Sequence, residues 1–332
     1  MHVAPNTSDR LLLSTETEIF NRIVPANHAF RKLNTIIDFD TLTAPLSKLY
    51  STVGTPSISV VKGIKALIVQ FWEDYSDRQM EQALRENMAV RFFCGFSLQE
   101  DTPDHSYFGK LRKRIGTKST ADLFKNINNI MESHGLIGNV FTFIDASTII
   151  TKGALWDERD RALADGAEKL NNTNVAQYAH DDEARFGAKS KSKKWFGYKR
   201  HNAVDMRHGL IVKVAVTPAN VPDQKALYRI LPDQGTVFAD KIYDTKDTRL
   251  ELQARGIHAS IIKKNNNKTK DHNLDSFLSK LRMPFESTFS KQSKRARYVG
   301  TTKNVMQGFM QALAYNLKKA VRLIDIPILA TS

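Results

Sequence analysis

Val140-Phe-Thr-Phe-Ile-Asp145 is the stretch that decides how this chain folds, because it is an apolar, β-prone run that ends in an acid. Thr236-Val-Phe-Ala239-Asp240 repeats the same arrangement later in the chain. Runs of β-branched and aromatic residues are typical of buried strands. Sites in α/β sheets gather at the carboxyl ends of strands, so we expect Asp145 and Asp240 to end two strands and converge on one point.

The residues that follow Val140 predict a mixed sheet with helices. Two further strands are joined by a hairpin at Arg207-His-Gly209, and another strand follows the Asp240 run. Apart from the two acid-ended runs, strands are expected at 199–206, 210–216 and 258–262, and helices at 224–231, 247–255, 274–281, around Glu286 and at 303–323. Residues 153–192 are polar and charged, which indicates a long insertion after the first strand. This order is typical of an α/β layer architecture.

The segment before Val140 has a helical pattern. Apolar residues recur at helical spacing from Phe30 onward, and Ser76-Asp-Arg-Gln79 is a capping box that begins a helix. The chain therefore divides into a polar N-terminal arm (1–27), an all-helical domain (28–136) and a mixed-sheet domain (137–332).

Composition excludes several classes of protein. The 332 residues are 41% hydrophobic and 25% charged, which is typical of globular chains. Cys94 is the single cysteine, so an intrachain disulfide and a cysteine-based zinc site are excluded, and a reducing cytoplasm is expected. No apolar run reaches the ~20 residues of a membrane helix, and the first residues do not resemble a secretory signal.

The positive charge is concentrated in the second part of the chain. The formal net charge is +14; residues 1–140 carry 16 basic and 15 acidic side chains, whereas residues 141–332 carry 33 and 20. A strongly basic region favours a polyanionic partner such as nucleic acid, although basic proteins without such a partner are common.

Paired acids at strand ends are compatible with a metal site. Two such carboxylates repel each other unless a cation lies between them, and Mg²⁺ prefers oxygen ligands. Either aspartate alone is equally compatible with a strand-end cap. Glu286, followed closely by several basic residues, is either an ion-pair partner or a third metal ligand.

These motifs together resemble the DDE transposases of bacterial insertion sequences, of the insertion-sequence-family-5 type within the larger insertion-sequence-family-4 group. Phe143-Ile-Asp145-Ala-Ser147 resembles the block of the first aspartate, and Ala239-Asp240-Lys241-Ile242-Tyr243-Asp244 resembles that of the second. Arg282 and Glu286 match the signature around the third acid. Further similar blocks, in the family's order, are 182–185, 194–201 with Asp205, 216–223, 295–300 and 314–318. The resemblance covers roughly residues 28–323.

Three positions depart from the family pattern. Ser279 stands in place of a tyrosine, Ser293 in place of a lysine and Ile242 in place of a glycine, whereas all three acids are present.

The resemblance implies a ribonuclease-H-like catalytic domain in which Asp145, Asp240 and Glu286 are catalytic and hold two Mg²⁺ ions, for which Mn²⁺ can substitute. Two metals can activate a water or a 3′-hydroxyl and stabilise the leaving oxygen of an in-line displacement. The expected activity is metal-dependent strand cleavage at element ends followed by strand transfer into target DNA.

The resemblance also implies a double-stranded DNA partner, comprising terminal inverted repeats and target DNA. Phosphate contacts are expected from basic residues, which give salt-dependent affinity and little sequence reading. The candidates are Lys193, Lys194, Lys199, Arg200, Arg282, Lys291, Lys294, Arg295 and Arg297. The helical domain would bind DNA ends or mediate dimerisation. A homodimer or higher oligomer on DNA is expected, in a prokaryotic cytoplasm at the nucleoid, with no membrane partner.

Three other functions are alternatives to a DNA transposase. An inactive or domesticated transposase would bind DNA without cutting it, and a related metal-dependent nuclease would cut without strand transfer. A glycosidase with paired carboxylates is disfavoured by the basic surplus. The sequence contains no GxxxxGK[ST] loop, GxSxG elbow or HExxH motif, which argues against ATP-driven, serine-hydrolase and zinc-protease chemistry.

Overall fold

A computed structural model describes residues 2–3, 14–50, 56–190 and 192–324, and the chain divides into two compact units. The first unit is Met1–His134 with Leu313–Ser332, and the second is Gly135–Ala312. Within the described part of the chain, no helix is long and apolar enough to cross a bilayer.

The first unit is a helical bundle around α4, whose thirteen residues are all buried. The capping box predicted at Ser76 is confirmed: Gln79 N donates to Ser76 Oγ, and Ser76 N donates to Gln79 Oε1. The elements are β1 (His2–Val3), α1 (Ser14–Ile23), α2 (Ala29–Ile36), α3 (Phe39–Thr43), a 3-10 turn (Ala44–Leu49), β2 (Pro56–Ser57), α4 (Val60–Trp72), α5 (Asp77–Glu86), α6 (Met88–Cys94) and α7 (His105–Ser133). β1 and β2 pair in parallel.

Both ends of the chain differ from the expected division. Residues 14–23, expected to lie in a polar arm, form α1, since Phe20 and Val24, four residues apart, are buried on one side. The rest of the expected arm before residue 14, apart from residues 2–3, lies outside the described residues. The last part of α13 (Thr301–Leu323) belongs to the first unit, where Asn316 Nδ2 donates to Asn128 Oδ1 at 2.8 Å.

The second unit is built on a six-stranded mixed sheet. Its strands are β3 (Phe141–Lys152), β4 (Arg185–Ala188), β5 (Lys194–Asp205), β6 (Leu210–Pro218), β7 (Thr236–Ala239) and β8 (His258–Ile261). The order is β4-β5-β3-β7-β8, and β6 also pairs with β5. β3 lies antiparallel to β5 and parallel to β7, and β7 lies parallel to β8. The prediction of a helical region followed by a mixed sheet is confirmed.

Helices cover both faces of this sheet. On one face Ile144, Ala203 and Ala239 belong to an apolar cluster with Leu227 and Leu252. The other face is covered by α12 and by the first part of α13, where Gly308 lies against Val214 and Val216. The helices of this unit are α8 (Trp156–Ala164), α9 (Val175–Tyr178), α10 (Asp223–Ala226), α11 (Lys246–Ala254), α12 (His272–Ser290) and the first part of α13, with 3-10 turns at Leu227–Arg229 and Lys241–Tyr243. The expected insertion after the first strand holds α8, α9 and β4.

The strand that carries Asp145 is longer than its apolar run suggests. β3 pairs with β7 only as far as Ile144↔Ala239, but it pairs with β5 from Thr142↔Asp205 to Lys152↔Phe196. Asp145 therefore lies within β3, not at its end as expected. Asp145 does directly follow the last residue of β3 that pairs with β7. The expected strand end therefore exists for the pairing of β3 with β7, but not for the pairing of β3 with β5.

We expect Gly197→Ala to destabilise the second unit. Gly197 has φ +148°, and a Cβ there would lie 2.2 Å from the carbonyl oxygen of Ile149. Because backbone atoms of β3 cannot move aside cheaply, the free energy of unfolding should fall by about 2–4 kcal/mol. Urea unfolding followed by circular dichroism measures this change. Gly153→Ala is the control, since a Cβ there meets nothing within 4 Å. Equal stability of the two variants would contradict the close approach of Gly197 to the backbone of β3.

Candidate active site

Asp145 and Asp240 lie side by side at the point where the parallel pairing of β3 and β7 ends. Ile144 and Ala239 are the last register pair, and the two aspartates directly follow them, Asp145 within β3 and Asp240 just after β7. Since successive side chains point to opposite faces of a sheet, Asp145 lies on the face opposite the apolar cluster that contains Ile144. The structure thus brings together the first two of the three predicted acids.

α12 covers this face and supplies the third acid. Leu278 of α12 packs against Phe238, and the Phe289 ring lies edge-on to Phe143 at 5.7 Å between centroids. Arg282 and Glu286 lie between these anchors and are four residues apart, so they share one side of the helix. Asp271 caps the N-terminus of this helix, and its carboxylate accepts from the N–H groups of Asn273 and Leu274.

The Arg282 guanidinium lies between the second and third acids. Its Nη1 is 3.9 Å from Asp240 Oδ1, and its Nη2 is 3.7 Å from Glu286 Oε1. It also lies over the Phe143 ring, 4.9 Å from the centroid. The side chain is only 8% exposed, and its Nε has no hydrogen-bond partner among the described residues. A buried cation held at these distances balances the acids without saturating its own donors.

Asp145 is the most perturbed of the three acids. Burial raises the pKa of its carboxyl to about 6, and the nearby charge of Asp240 adds to the rise. The N–H of Ala146, which donates to Asp145 Oδ1 at 2.7 Å, and the charges of Arg282 and Lys189 lower the pKa. A half-buried carboxyl beside a second carboxyl is a site where a further cation is stabilising.

The metal site expected at the three acids stays a prediction. Within the described ranges, no three His, Cys, Asp or Glu side chains are grouped so that they could hold a metal ion. Glu286 is 56% exposed, and Arg282 stands between it and Asp240. The donors are nevertheless all carboxylate oxygens, which suit a hard divalent cation. Asp145 and Asp240 fit such an ion by position, and Glu286 fits it by chemistry only.

Most of the predicted phosphate contacts lie at the surface. Lys294 and Arg295 have backbone positions fixed by β3, because Ile150 forms a bridge with Arg295. In this bridge Ile150 N donates to Lys294 O at 2.7 Å, and Ala296 N donates to Ile150 O at 2.8 Å. Ile150 lies five residues after Asp145 on the same strand, which is about 17 Å along it. Exposed side chains are those of Lys193, Lys194, Lys291, Lys294 and Arg295, and Arg297 is half-buried. Lys191 lies outside the described residues.

The structure corrects the expectation for two members of this set. Arg200 is fully buried: its guanidinium donates to Ser293 O at 3.3 Å, to Ser147 Oγ at 3.2 Å and to Gln311 Oε1. Lys199 Nζ donates to Asp223 Oδ1 at 2.8 Å and to Val221 O at 2.9 Å. Neither side chain presents a free cation to DNA, because internal acceptors take their donors. Arg282 is also buried, but it faces the acids.

The first unit contains a basic run, Lys110-Leu-Arg112-Lys113-Arg114, and two of its arginines make internal contacts. Arg112 forms a two-pronged ion pair with Asp77, at 2.6 and 2.8 Å. The Arg114 guanidinium lies 4.4 Å from the centroid of the Tyr50 ring. Lys110 and Lys113 are the exposed members of the run. The choice between end binding and dimerisation for this unit stays a prediction.

Several side chains near the acids were not singled out from the sequence. Lys189 acts on the Asp145 carboxyl through its charge. Asn202 lies opposite Asp145 in the β3–β5 register, and it is bonded to Gln292. Only the strand register could have identified Asn202, since asparagine in a strand has no distinctive spacing. Of the three departures from the family pattern, Ile242 and Ser279 are exposed, and Ser293 accepts from Arg200 through its carbonyl.

Comparison with known proteins matches both parts of the chain to transposase families. Residues 138–317, more than half of the chain, match the family described as Transposase DDE domain. Residues 18–114 match the family described as Transposase domain (DUF772). The sheet, the two strand-borne aspartates and the helix with Glu286 all lie within the first of these matches.

Two individual proteins are similar to this chain. The transposase for insertion sequence element IS1106 of Neisseria meningitidis serogroup B is 28% identical over 239 residues, which cover 67% of this chain and 80% of that protein. A piggyBac transposase synaptic complex with hairpin DNA, solved by cryo-electron microscopy, has a TM-score of 0.40 and 9% identity. That alignment covers 92% of this chain and 76% of the other.

The family match defines a DDE-type enzyme of phosphoryl transfer on DNA, and the helical region followed by a mixed sheet is consistent with a ribonuclease-H-like fold. The chain belongs to the Transposase DDE domain family.

The perturbed carboxyl predicts a pH-dependent change in stability. An acid whose pKa is higher in the folded protein than in the unfolded chain weakens the folded state as it ionises, here between about pH 4 and about pH 6. In EDTA, Asp145→Asn should therefore raise the free energy of unfolding by about 1–3 kcal/mol at pH 7.5 and by little at pH 4. Urea unfolding at the two pH values measures this difference. Asp157→Asn, at an 88% exposed carboxylate, is the control; an Asp145→Asn variant no more stable than wild type at pH 7.5 would contradict the prediction.

Proposed function

We propose that this chain is the transposase of a bacterial insertion sequence of the insertion-sequence-family-5 type, within the insertion-sequence-family-4 group. It cuts DNA at the ends of its element and joins them to target DNA. The observation that carries the proposal is the placement of Asp145 on β3 beside Asp240, directly after β7, beneath the helix that bears Arg282 and Glu286. The order of the family's motifs along the chain supports the subgroup.

Asp145, Asp240 and Glu286 are the proposed catalytic residues, and they would hold divalent ions, Mg²⁺ or Mn²⁺. When bound, such ions supply a nucleophile at neutral pH and stabilise the leaving oxygen of an in-line displacement. In the first step a water oxygen attacks the scissile phosphorus, and the bond to the 3′ oxygen breaks. In the second step the freed 3′-hydroxyl attacks a phosphorus of target DNA and displaces the 3′ oxygen of the neighbouring nucleotide. No covalent bond to the protein forms.

Arg282 has a further part in this proposal. Its guanidinium is more than 3.5 Å from both carboxylates, so it is held by charge and by Phe143, not by short hydrogen bonds. A guanidinium binds phosphate in the same fork geometry as carboxylate. Arg282 would therefore turn from the acids to the scissile phosphate when DNA enters, which exposes the carboxylates to metal.

The exposed basic residues would bind the DNA backbone around this site. Lys193, Lys194, Lys291, Lys294, Arg295 and Arg297 form the proposed phosphate track. A homodimer or higher oligomer would bring two element ends together, and the first unit would bind the ends or hold the dimer. The protein would act on nucleoid DNA in a prokaryotic cytoplasm.

Asp145→Ala, Asp240→Ala and Glu286→Ala should each abolish cleavage of a DNA fragment that carries the element ends. Binding to the same fragment should be kept, since these acids contribute no attraction to phosphate. Mg²⁺-dependent strand cleavage and an electrophoretic shift assay measure the two properties. Asp157→Ala is the matched control at an exposed acid. Cleavage retained by any of the three variants would remove that acid from the site, and a wild-type protein that binds the ends without cutting them would favour an inactive DNA-binding protein.

Replacing Lys294 and Arg295 together by alanine should weaken binding to all DNA sequences alike. Each phosphate contact adds about 0.9 to the slope of log K against log salt, so the double variant should flatten the slope by about 2. Fluorescence anisotropy across a salt series gives this slope. Lys225→Ala is the control, because Lys225 is exposed on α10, whose side of the sheet is opposite the acids. An unchanged slope in the double variant would mean that residues 294–295 face solvent in the complex.

A further inference from the structure

Two buried amides lie beside the acidic pair and have no part in the proposed chemistry. Asn202 is opposite Asp145 in the antiparallel register of β3 and β5, so their side chains share one face at a Cβ separation of about 5 Å. Asn202 Nδ2 donates to Gln292 Oε1 at 2.7 Å. Asn202 is 0% exposed, and Gln292 is 4% exposed.

Gln292 lies just beyond the C-terminus of the helix that carries Glu286. α12 ends at Ser290, and Lys291 N still donates to Ser287 O, so Gln292 follows the last turn closely. The amide bond therefore joins this end of α12 to β5 at the position next to Asp145. Glu286 is only six residues before the joint.

A second contact fixes the same segment one step along β5. Arg200, two residues before Asn202 and on the same face, donates to the carbonyl of Ser293 at 3.3 Å and to Ser147 Oγ at 3.2 Å. Ser147 is two residues after Asp145 on β3. Gln292 and Ser293 are thus bonded to Asn202 and Arg200, which are consecutive side chains on one face of β5.

The hydrogen bonds of Asn202, Gln292 and Arg200 leave other polar atoms of the same side chains unpaired, which lowers the stability of the fold. Asn202 Oδ1, Gln292 Nε2 and Arg200 Nε are buried without hydrogen-bond partners among the described residues. A buried polar group without a partner lowers stability, whereas leucine and methionine have similar volumes and no polar atoms to leave unpaired. Unsatisfied polar groups of this kind are expected where placement of a site outweighs stability.

We propose that Asn202 and Gln292 are positioning residues that set the location of Glu286 relative to Asp145 and Asp240. They do so by fixing the C-terminal end of α12 on β5. This inference rests on the proposed function of the acids. Side chains that orient metal-binding groups from behind typically change metal affinity or activity by about 10–100-fold when they are replaced.

The test uses Asn202→Leu, Gln292→Met and the double variant in the full chain. Hydrogen–deuterium exchange of residues 282–290 reports the placement of α12 without any catalysis, and the Mg²⁺ dependence of end cleavage reports the placement of Glu286. Thr217→Val is the matched control. Thr217 is 3% exposed and bonds His201, which neighbours both Arg200 and Asn202 along β5 but points to the opposite face.

Each single variant should exchange faster in residues 282–290, cleave about 10–100-fold more slowly and need more Mg²⁺ for half-maximal rate, with DNA binding unchanged. The double variant should be no worse than the poorer single variant, since both remove one interaction. Thr217→Val should lower stability without shifting the Mg²⁺ dependence.

Unchanged exchange in residues 282–290, additive losses in the double variant or an equal Mg²⁺ shift in Thr217→Val would each overturn the inference. A wild-type protein that does not cleave would instead contradict the proposed function. In that case the exchange measurement alone still decides whether the amide pair fixes α12.

Discussion

The parallel pairing of β3 with β7 is the constraint on which the rest of the second unit depends. It ends at Ile144↔Ala239, and so it delivers two carboxylates to adjacent positions on one face of the sheet. One of them, Asp145, is buried enough for its pKa to rise to about 6. Such a pair needs a neighbouring cation. Arg282 supplies it from α12, whose position over the sheet is fixed by Leu278 and Phe289.

The local chemistry of this arrangement could be predicted from sequence, and its long-range pairing could not. The β7 and β8 strands, the hairpin between β5 and β6 and the capping box at Ser76 each depend on neighbouring residues, and each is found. The length of β3 depends on β5, more than forty residues away, so an acid that seemed to end a strand lies inside one. Likewise α1 was not predicted, because most of its residues are polar and its buried apolar side chain is Phe20, with Val24 directly after the helix.

The candidate site shows the same division. Asp145 and Asp240 could be proposed from their positions after apolar runs, and Glu286 and Arg282 from the resemblance to the family's motifs. The position of the Arg282 guanidinium between Asp240 and Glu286 could not be predicted. The density of basic residues in the sequence predicted the DNA-binding surface less well than it predicted a DNA partner. Arg200 and Lys199 are neighbouring basic residues of β5, so their side chains point to opposite faces of the sheet. Arg200 points inward and donates to Ser147 and Ser293, whereas Lys199 forms an ion pair with Asp223. A cation contributes to a DNA surface only if no internal acceptor uses it, and sequence does not reveal acceptors on distant segments.

The two faces of the sheet contribute oppositely to the stability of the folded state. The face that contains Ile144 and Ala203 is an apolar cluster, where every buried side chain adds to stability in proportion to its area. The opposite face contains a carboxyl whose pKa is raised by burial and an arginine, Arg200, whose pKa is lowered by burial to about 9. Both shifts mean that the folded state is destabilised by holding these groups charged. The apolar face can offset that cost because both faces belong to the same six-stranded sheet. A sheet that is stabilised on one face can hold polar groups in fixed positions on the other.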